Sequence, residues 1–517
     1  MDSLATLASA TWGGPLLVLA LMLPVAALML AFVLGGRHAE RVVLATLPIG
    51  LGVAVAIAAA IIHQGAALHY DLGGWAPPLG VSLHADGLSA TLLLTTAVVL
   101  CAVGLYARAD FRVPPGVSEA RAPLAFWTLL LAVWAGLNAV FLGQDLFNLY
   151  VALELLTFAA VPLVCLSGSP QTIAAALRYL LFALMGSVLY LLGGALFYGA
   201  YGTLDIPMLS ARLASGDPIA PAALAAAALM TAGLLAKTAL FPLHLWLPPA
   251  HAGAPAAGSA VLSALVVKAS FFLILRLWFD VMPASLTHLA AQVLAALGAA
   301  AILFGGVLAL RQARLKMLIA YSTLAQIGYL FLVFPLVANP AAAPILDLGQ
   351  TPGAWTGGVL QLVSHAFAKA AMFMAAGLIA GALGHDQLRG LGGIGRVLPM
   401  TVFAFALAGL SLMGLPPSGG FASKWLLLSA SIETGQWWWT LVMLAGGLLT
   451  GAYLFRVLAP ALSTRGPPLT LVKPVERSRE LVVLGLALCS VVLGLVPFSS
   501  FGLVQIGRLG ATGIGLP

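Results

Sequence analysis

Residues 236–278 read AKTALFPLHLWLPPAHAGAPAAGSAVLSALVVKASFFLILRLW. The second half of this stretch is apolar across the width of a bilayer, which demands about 20 such residues. It carries one lysine, Lys268, near its middle. The first half closes another apolar run. There Lys237 is followed by Pro242, Pro248 and Pro249. A proline inside a membrane helix removes one backbone donor and frees a carbonyl. Irregular backbone is tolerated at membrane depth only where it is buried in protein or lines a wet cavity. Two spans, one broken and each bearing a lysine, are the unit from which the fold is read.

The same pattern extends outward along the 517 residues. Hydrophobic residues make up 62% and charged residues 8% of the chain, against about a quarter charged in soluble domains. Too few polar residues remain to cover a soluble surface, so an all-α integral membrane protein is expected. About fourteen transmembrane helices are predicted, at 15–35, 42–63, 87–107, 122–142, 145–166, 171–200, 222–248, 256–281, 286–310, 315–336, 355–383, 398–430, 436–462 and 480–501. Gly414, Pro416, Pro417, Gly419 and Gly420 break the twelfth as the prolines break the seventh. The run YDLGGWAPP, 70–78, has turn chemistry and predicts a short hairpin over the outer face. Met1 to Trp12 has no basic residue, only Asp2, so the first span reads as retained rather than as a secretory signal.

Basic residues give the orientation. Arg37 and Arg41, then Arg108, Arg112 and Arg121, then Arg311, Arg314 and Lys316, fall in odd-numbered loops. So do Arg389, Arg396, Arg456, Arg465, Lys473, Arg477 and Arg479. The other side holds Arg212 and Arg508, with Arg276 near a helix end. This bias predicts cytoplasmic odd loops and both termini outside the cytoplasm. Arginines spread over short loops do not form a nucleic-acid patch, so no nucleic-acid partner is expected.

Lysine and arginine are segregated. Lys237, Lys268, Lys369 and Lys424 lie inside apolar spans, while nearly all arginines lie in loops. Lysine gives up its proton on burial far more readily than a guanidinium does. An intramembrane cation carries a penalty of about 2.5–3.5 kcal/mol at mid-bilayer on insertion scales. Four of them read as proton sites, against the plainer reading of helix-end lysines reaching for the interface. Glu154 is the carboxylate placed well inside a span, and Lys237 and Lys268 are its candidate partners. Such a pair can switch by coupled titration, or can be a static structural pair. Lys237, His244 and His251 are spaced by seven and form a rough line disturbed by the prolines. His365 and Lys369 lie four apart, on one helix face. Histidines suit a proton relay, although a packed, satisfied histidine is the ordinary alternative.

Other chemistries leave no trace. Cys101, Cys165 and Cys489 are far apart in apolar runs, without metal spacing. There is no phosphate loop and no dinucleotide fingerprint. Glycine-rich 389–395 sits in a basic loop with no strand before it and reads as a connector. No metal, cofactor or catalytic residue is expected, and the chain is not read as an enzyme.

Taken together, FNLYVALELL, the 236–278 block, SHAFAKAAMF and GLPPSGGFASKWLLL resemble the antiporter-like membrane subunits of respiratory complex I and the Mrp-type cation/proton antiporters. The outer loop DLGGWAPPLGVSLHADGLSA and KASFFLILRLW look most like the D-type member of the Mrp antiporters. Lys424 stands where the M-type complex I protein has glutamate. The chain also ends soon after the last span, without the lateral helix of the L-type protein. The resemblance implies two inverted five-helix repeats, spans 4–8 and 9–13, each with a broken helix. The organisation is then a three-helix segment 1–121, repeats at 122–281 and 286–462, and a last helix with the C-terminus at 480–517. It also implies roles. Glu154 and Lys237 match the family's glutamate–lysine pair, Lys268 the central-axis lysine, and Lys424 the lysine near the outer exit. His244, His365 and Lys369 fall on the connecting relay.

The expected function is proton translocation, within a multi-subunit Na+(K+)/H+ antiporter of a bacterial-type cell membrane. Its partners would be other membrane subunits, protons and Na+ or K+, in the lipid bilayer. The rivals are an antiporter-like pumping subunit of a complex I-like or hydrogenase-type redox complex, and a membrane subunit energising a soluble partner in an uptake complex.

Overall fold

In hydrocarbon every backbone N–H and C=O needs an internal partner, so an apolar chain of this length resolves into helices. The computed structural model describes residues 10–114, 116–214, 219–338, 353–464, 469 and 471–507. Asp2, Arg465, Arg508 and the far ends of the 1–121 and 480–517 segments lie outside them.

Helices α1 (Pro15–Leu34) and α2 (Gly36–Gln64) are joined by Gly35 alone. A two-stranded hairpin follows, β1 (Leu68–Asp71) and β2 (Ser82–Ala85), flanking the turn-rich run. The strands are antiparallel, with His69 opposite His84. Then come α3 (Gly87–Ala107), α4 (Arg121–Leu142), α5 (Leu146–Val164), α6 (Pro170–Tyr201) and the short α7 (Ile206–Leu213). Helix α8 (Pro221–Thr238) stops at the first break, and α9 (Leu247–Gly253) resumes after it. Helix α10 (Ala256–Val281) contains two π-helical turns, Leu262–Val266 and Leu277–Val281. Helices α11 (Ala284–Arg311), α12 (Leu315–Val337) and α13 (Gly353–Leu383) follow. The second break separates α14 (Pro399–Met413) from α15 (Gly419–Glu433). Helices α16 (Trp437–Ala461) and α17 (Arg477–Val492) complete the order.

Among the described residues, twelve helices are long and apolar enough to cross a membrane. The predicted span 398–430 corresponds to the 15-residue α14 and α15, and the span 480–501 to the 16-residue α17. That last span is shorter than read. Gly494 and Pro497 close the apolar run, and a 3-10 segment follows at Phe498–Gln505. Several basic residues read as lying in loops are helical instead: Arg121 opens α4, Arg311 closes α11, Arg456 lies within α16, and Arg477 and Arg479 open α17. Arg37 and Arg41 lie in the first turns of α2 rather than in a loop. Lys316 lies in the first turn of α12, where its ammonium donates to the Ala254 carbonyl at 2.6 Å.

Local chemistry sets the helix starts. Asp86, Asp145, Ser169, Asp205 and Ser418 cap α3, α5, α6, α7 and α15 with side-chain oxygens. Packing then sorts the helices by burial. Large apolar side chains on α1, α6 and α16, such as Phe32, Leu181, Val188, Leu448 and Phe455, face outward as a lipid-facing surface does. Helices α10, α12 and α13 are buried nearly throughout and form the core. Helices α6 and α8 meet at Gly186 and Gly233. A Cβ on Gly233 would lie 2.3 Å from the Gly186 carbonyl, so only glycine permits this approach.

The hairpin end is anchored by a charged cluster. Arg276 donates to Asp86 at 2.7 Å, to Asp280 at 2.8 Å and to the Ser89 hydroxyl at 3.1 Å. Burial pushes the imidazole of His84 down to about 4, with Asp86 acting in the opposite direction. Burial alone would raise the Asp86 carboxyl, but the Arg276 guanidinium holds it below the usual range.

Candidate functional site

The first break opens because α8 ends on Ala239, whose φ of 60° turns the chain out of the helix. Lys237 sits in this last turn, 6% exposed. Its ammonium donates to Glu154 Oε1 at 3.0 Å and to the Thr157 hydroxyl at 3.1 Å. Ser187 on α6 donates to the same carboxylate oxygen. Among the described residues, Glu154 therefore takes Lys237 as its cation. Lys268 was an equal candidate from the sequence, but it lies on α10 and turns elsewhere.

Lys268 is 1% exposed and donates to the Ser263 carbonyl at 3.1 Å. Ser263 lies in a π-helical turn, where the wider winding disturbs the usual i→i−4 pairing. The Ser263 hydroxyl meets Thr323 of α12 at 3.0 Å. Thr323 donates to the Ile319 carbonyl at 2.9 Å, and Lys369 of α13 donates to the same carbonyl at 3.2 Å. Lys369 also donates to the Ser322 hydroxyl. Lys268 and Lys369 are thus joined through one face of α12.

That face continues. Gln326, one helical turn beyond Ser322, accepts from Gln361 at 3.1 Å and donates to the Leu412 carbonyl at 3.1 Å. Lys424 donates to the same carbonyl at 2.7 Å and to Met413 at 3.3 Å, and lies 4.2 Å from the centre of the Tyr329 ring. Ile319, Ser322, Thr323, Gln326 and Tyr329 are spaced 3, 1, 3 and 3 apart, a single helical stripe. This stripe joins Lys268, Lys369 and Lys424, and sequence reasoning missed it. Its signal was present as Ser322, Thr323, Gln326 and Tyr329 within YSTLAQIGY, inside a span with few other polar residues.

The histidines divide. His251 is fully buried, and the charges of Lys369 and Lys268 both act on it. His365 is 1% exposed and lies one helical turn before Lys369 on α13. Both ring nitrogens of each are buried without a hydrogen-bond partner among the described residues. His244 differs. It packs 5.6 Å from Phe241 and 5.3 Å from Phe304, ring to ring. The helix ends six residues before it, so the seven-residue spacing from Lys237 does not place the three groups on one helical face. Tyr179 and Trp246 are stacked at 4.1 Å. Trp246 lies 6.2 Å from His251, ring to ring.

At the end opposite the hairpin a cavity of 460 Å³ is lined by Tyr106, Asp110, Lys316, Asp386, Lys473 and Arg479 among others. Ala252, next to His251, also lines it. Among the described residues no group of three or more His, Cys, Asp or Glu side chains could hold a metal. The three cysteines are free. Chemically, the arrangement is a row of buried ammonium groups held by carbonyls and hydroxyls, with imidazoles between them and one carboxylate at its end.

Residues 143–450 match the sequence profile of the NADH:quinone oxidoreductase/Mrp antiporter transmembrane family. The chain is 36% identical over 414 residues to NADH-quinone oxidoreductase subunit N of Desulforudis audaxviator, covering 79% of this chain and 78% of that one. It is 29% identical over 390 residues to the D subunit of the Na+/H+ antiporter of Bacillus subtilis, covering 75% and 74%. Its fold superposes on a chain of the Mrp complex from Dietzia sp. with a TM-score of 0.83 at 25% identity, over 94% of this chain and 96% of that one.

Proposed function

The chain belongs to the NADH:quinone oxidoreductase/Mrp antiporter membrane family, and on that premise we propose that it is the proton-translocating subunit of a multi-subunit Na+(K+)/H+ antiporter. The observation that carries this reading is the set of buried lysines, with Lys268, Lys369 and Lys424 joined through one face of α12 and Lys237 paired to Glu154. Protons enter from the 460 Å³ cavity toward His251 and pass along the lysines. Lys424 hands them to the far side. The Glu154–Lys237 pair sets the charge that Lys268 experiences, and so gates its proton. His244 belongs to this system as a neighbour of the break, not as a link between two lysines. The two broken helices, α8–α9 and α14–α15, mark the corresponding elements of two inverted repeats, 122–281 and 286–462. The cavity end faces the cytoplasm of a bacterial-type cell, both termini lie outside, and further membrane subunits flank the chain.

A second reading is favoured by the 36% identity to a component of a quinone oxidoreductase. In it the same row pumps protons, driven by electron transfer in partner subunits. Everted vesicles carrying the assembled complex separate the two. Collapse of a preformed pH gradient on adding Na+ or K+ supports antiport. A gradient built by NADH or hydrogen oxidation, with no response to either cation, supports the redox pump.

A further inference from the structure

The carbonyl-and-ring cage that holds the Lys424 ammonium points to a binding site for one monovalent alkali cation. We propose that Lys424 and this cation exchange places there. The inference rests on the antiport reading and names where the counter-ion sits.

The cage follows from the sequence. In a regular helix the carbonyls of Leu412 and Met413 would accept from residues four further on. Those residues are Pro416 and Pro417, which have no N–H to give. Gly414 turns the chain with a φ of 85°, and the amides of Gly414 and Leu415 bond back to Leu410 and Ser411. The last two carbonyls of α14 are therefore left to a non-backbone donor, at the negative end of a half-helix. Lys424 takes both, at 2.7 and 3.3 Å, sharing the Leu412 carbonyl with the Gln326 amide at 3.1 Å, under the face of Tyr329 at 4.2 Å. Among the described residues no carboxylate lies within 4.0 Å of this ammonium. Carbonyl dipoles and a π face are the donor set that receives dehydrated monovalent cations, and unwound half-helix ends supply it in membrane transporters.

The other buried lysines lack this set. Lys237 has a carboxylate. Lys268 has one carbonyl, and Lys369 one carbonyl and a hydroxyl. A glycine also makes room beside Lys424. A Cβ on Gly414 would stand 2.7 Å from Lys424 Cδ, so glycine leaves the alkyl chain its path. When the ammonium releases its proton, the neutral amine no longer holds the carbonyls by charge. One cation then enters as one proton leaves, and the charge in the cage stays at one. The cage is where proton and counter-ion compete.

The test is equilibrium binding of radioactive Rb+ to the purified, assembled complex containing the full chain, from pH 6 to 9. The expected result is about one equivalent bound at high pH, displaced by Na+ or K+ and lost toward pH 6. Tyr329→Leu weakens it about tenfold, within the range of a desolvated cation–π contact. Lys424→Ala binds with no pH dependence, because the competitor is gone. Binding that is absent at every pH in the wild type, or unchanged by Tyr329→Leu, overturns the proposal. Should Lys424→Ala fail to assemble, the wild-type pH profile and Tyr329→Leu still decide. A complex that binds Rb+ in this way yet exchanges no cation in vesicles keeps the site and refutes the antiport reading.

Discussion

Replacing Glu154 by glutamine removes one charge and little else. Lys237 donates to Glu154 Oε1 at 3.0 Å, with the lysine side chain 5% and the glutamate side chain 15% exposed. Removing one partner of a buried pair destabilises the remaining charged arrangement by about 3–5 kcal/mol. The slight exposure of Glu154 places this pair near the lower end, about 3 kcal/mol, or roughly a hundredfold in the population of the charged arrangement. The amide oxygen of glutamine still accepts from Ser187, so packing of α5 against α6 is retained. Dye-reported collapse of a pH gradient in everted vesicles should fall to about 1% of the wild-type rate if this population limits turnover. Membrane content of the complex, read by immunoblot, should stay level. Wild-type rates in Glu154→Gln would refute the switch. A rate loss matched by loss of protein would make the pair structural.

Three other outcomes follow from the geometry. Lys369→Arg keeps a cation near Ile319 and Ser322 but cannot release a proton, so transport should drop more than about tenfold in the vesicle assay while the complex assembles; near-normal rates would remove Lys369 from the path. Arg276→Gln takes from buried Asp86 its guanidinium partner, and should lower stability by about 3–5 kcal/mol, seen as earlier melting in detergent; turnover per surviving complex should hold. His84 is held down near 4, so the folded state binds fewer protons than the unfolded one between about pH 6.5 and 4, and its hairpin should be intact above that window and loosen as pH falls through it. Asp86, held low by Arg276, keeps its full stabilising contribution above its ordinary value of 3.8 and loses it only as pH falls below that. Hydrogen exchange of the Ser82–Ala85 amides should show the slope, and His84→Gln should remove it.

Much of this molecule was readable because a bilayer makes its demands in the sequence itself. Span length, the proline and glycine breaks, and the isolation of Lys237, Lys268, Lys369 and Lys424 among apolar residues are all local facts. Which carboxylate meets which lysine is not. Glu154 meets Lys237 because α6 packs closely on α8 at Gly186 and Gly233 and holds the Glu154 carboxylate through Ser187, a tertiary event. The α12 stripe was hidden for a different reason. Ser, Thr and Gln carry no charge, and in a buried helix they read as tolerated polarity until a lysine is seen to land on them. Lys316 looks like a loop cation in the sequence because α12 starts only one residue before it. Arg276 looked like a helix-end residue because Asp86, its partner, is 190 positions away.

The most direct test of the central claim compares the intact complex with Lys237→Ala in everted vesicles, following the pH gradient as Na+ or K+ is added. The buried lysine row predicts cation-driven collapse in the wild type and none in Lys237→Ala, at equal amounts of complex. Collapse at the wild-type rate without Lys237 would contradict it.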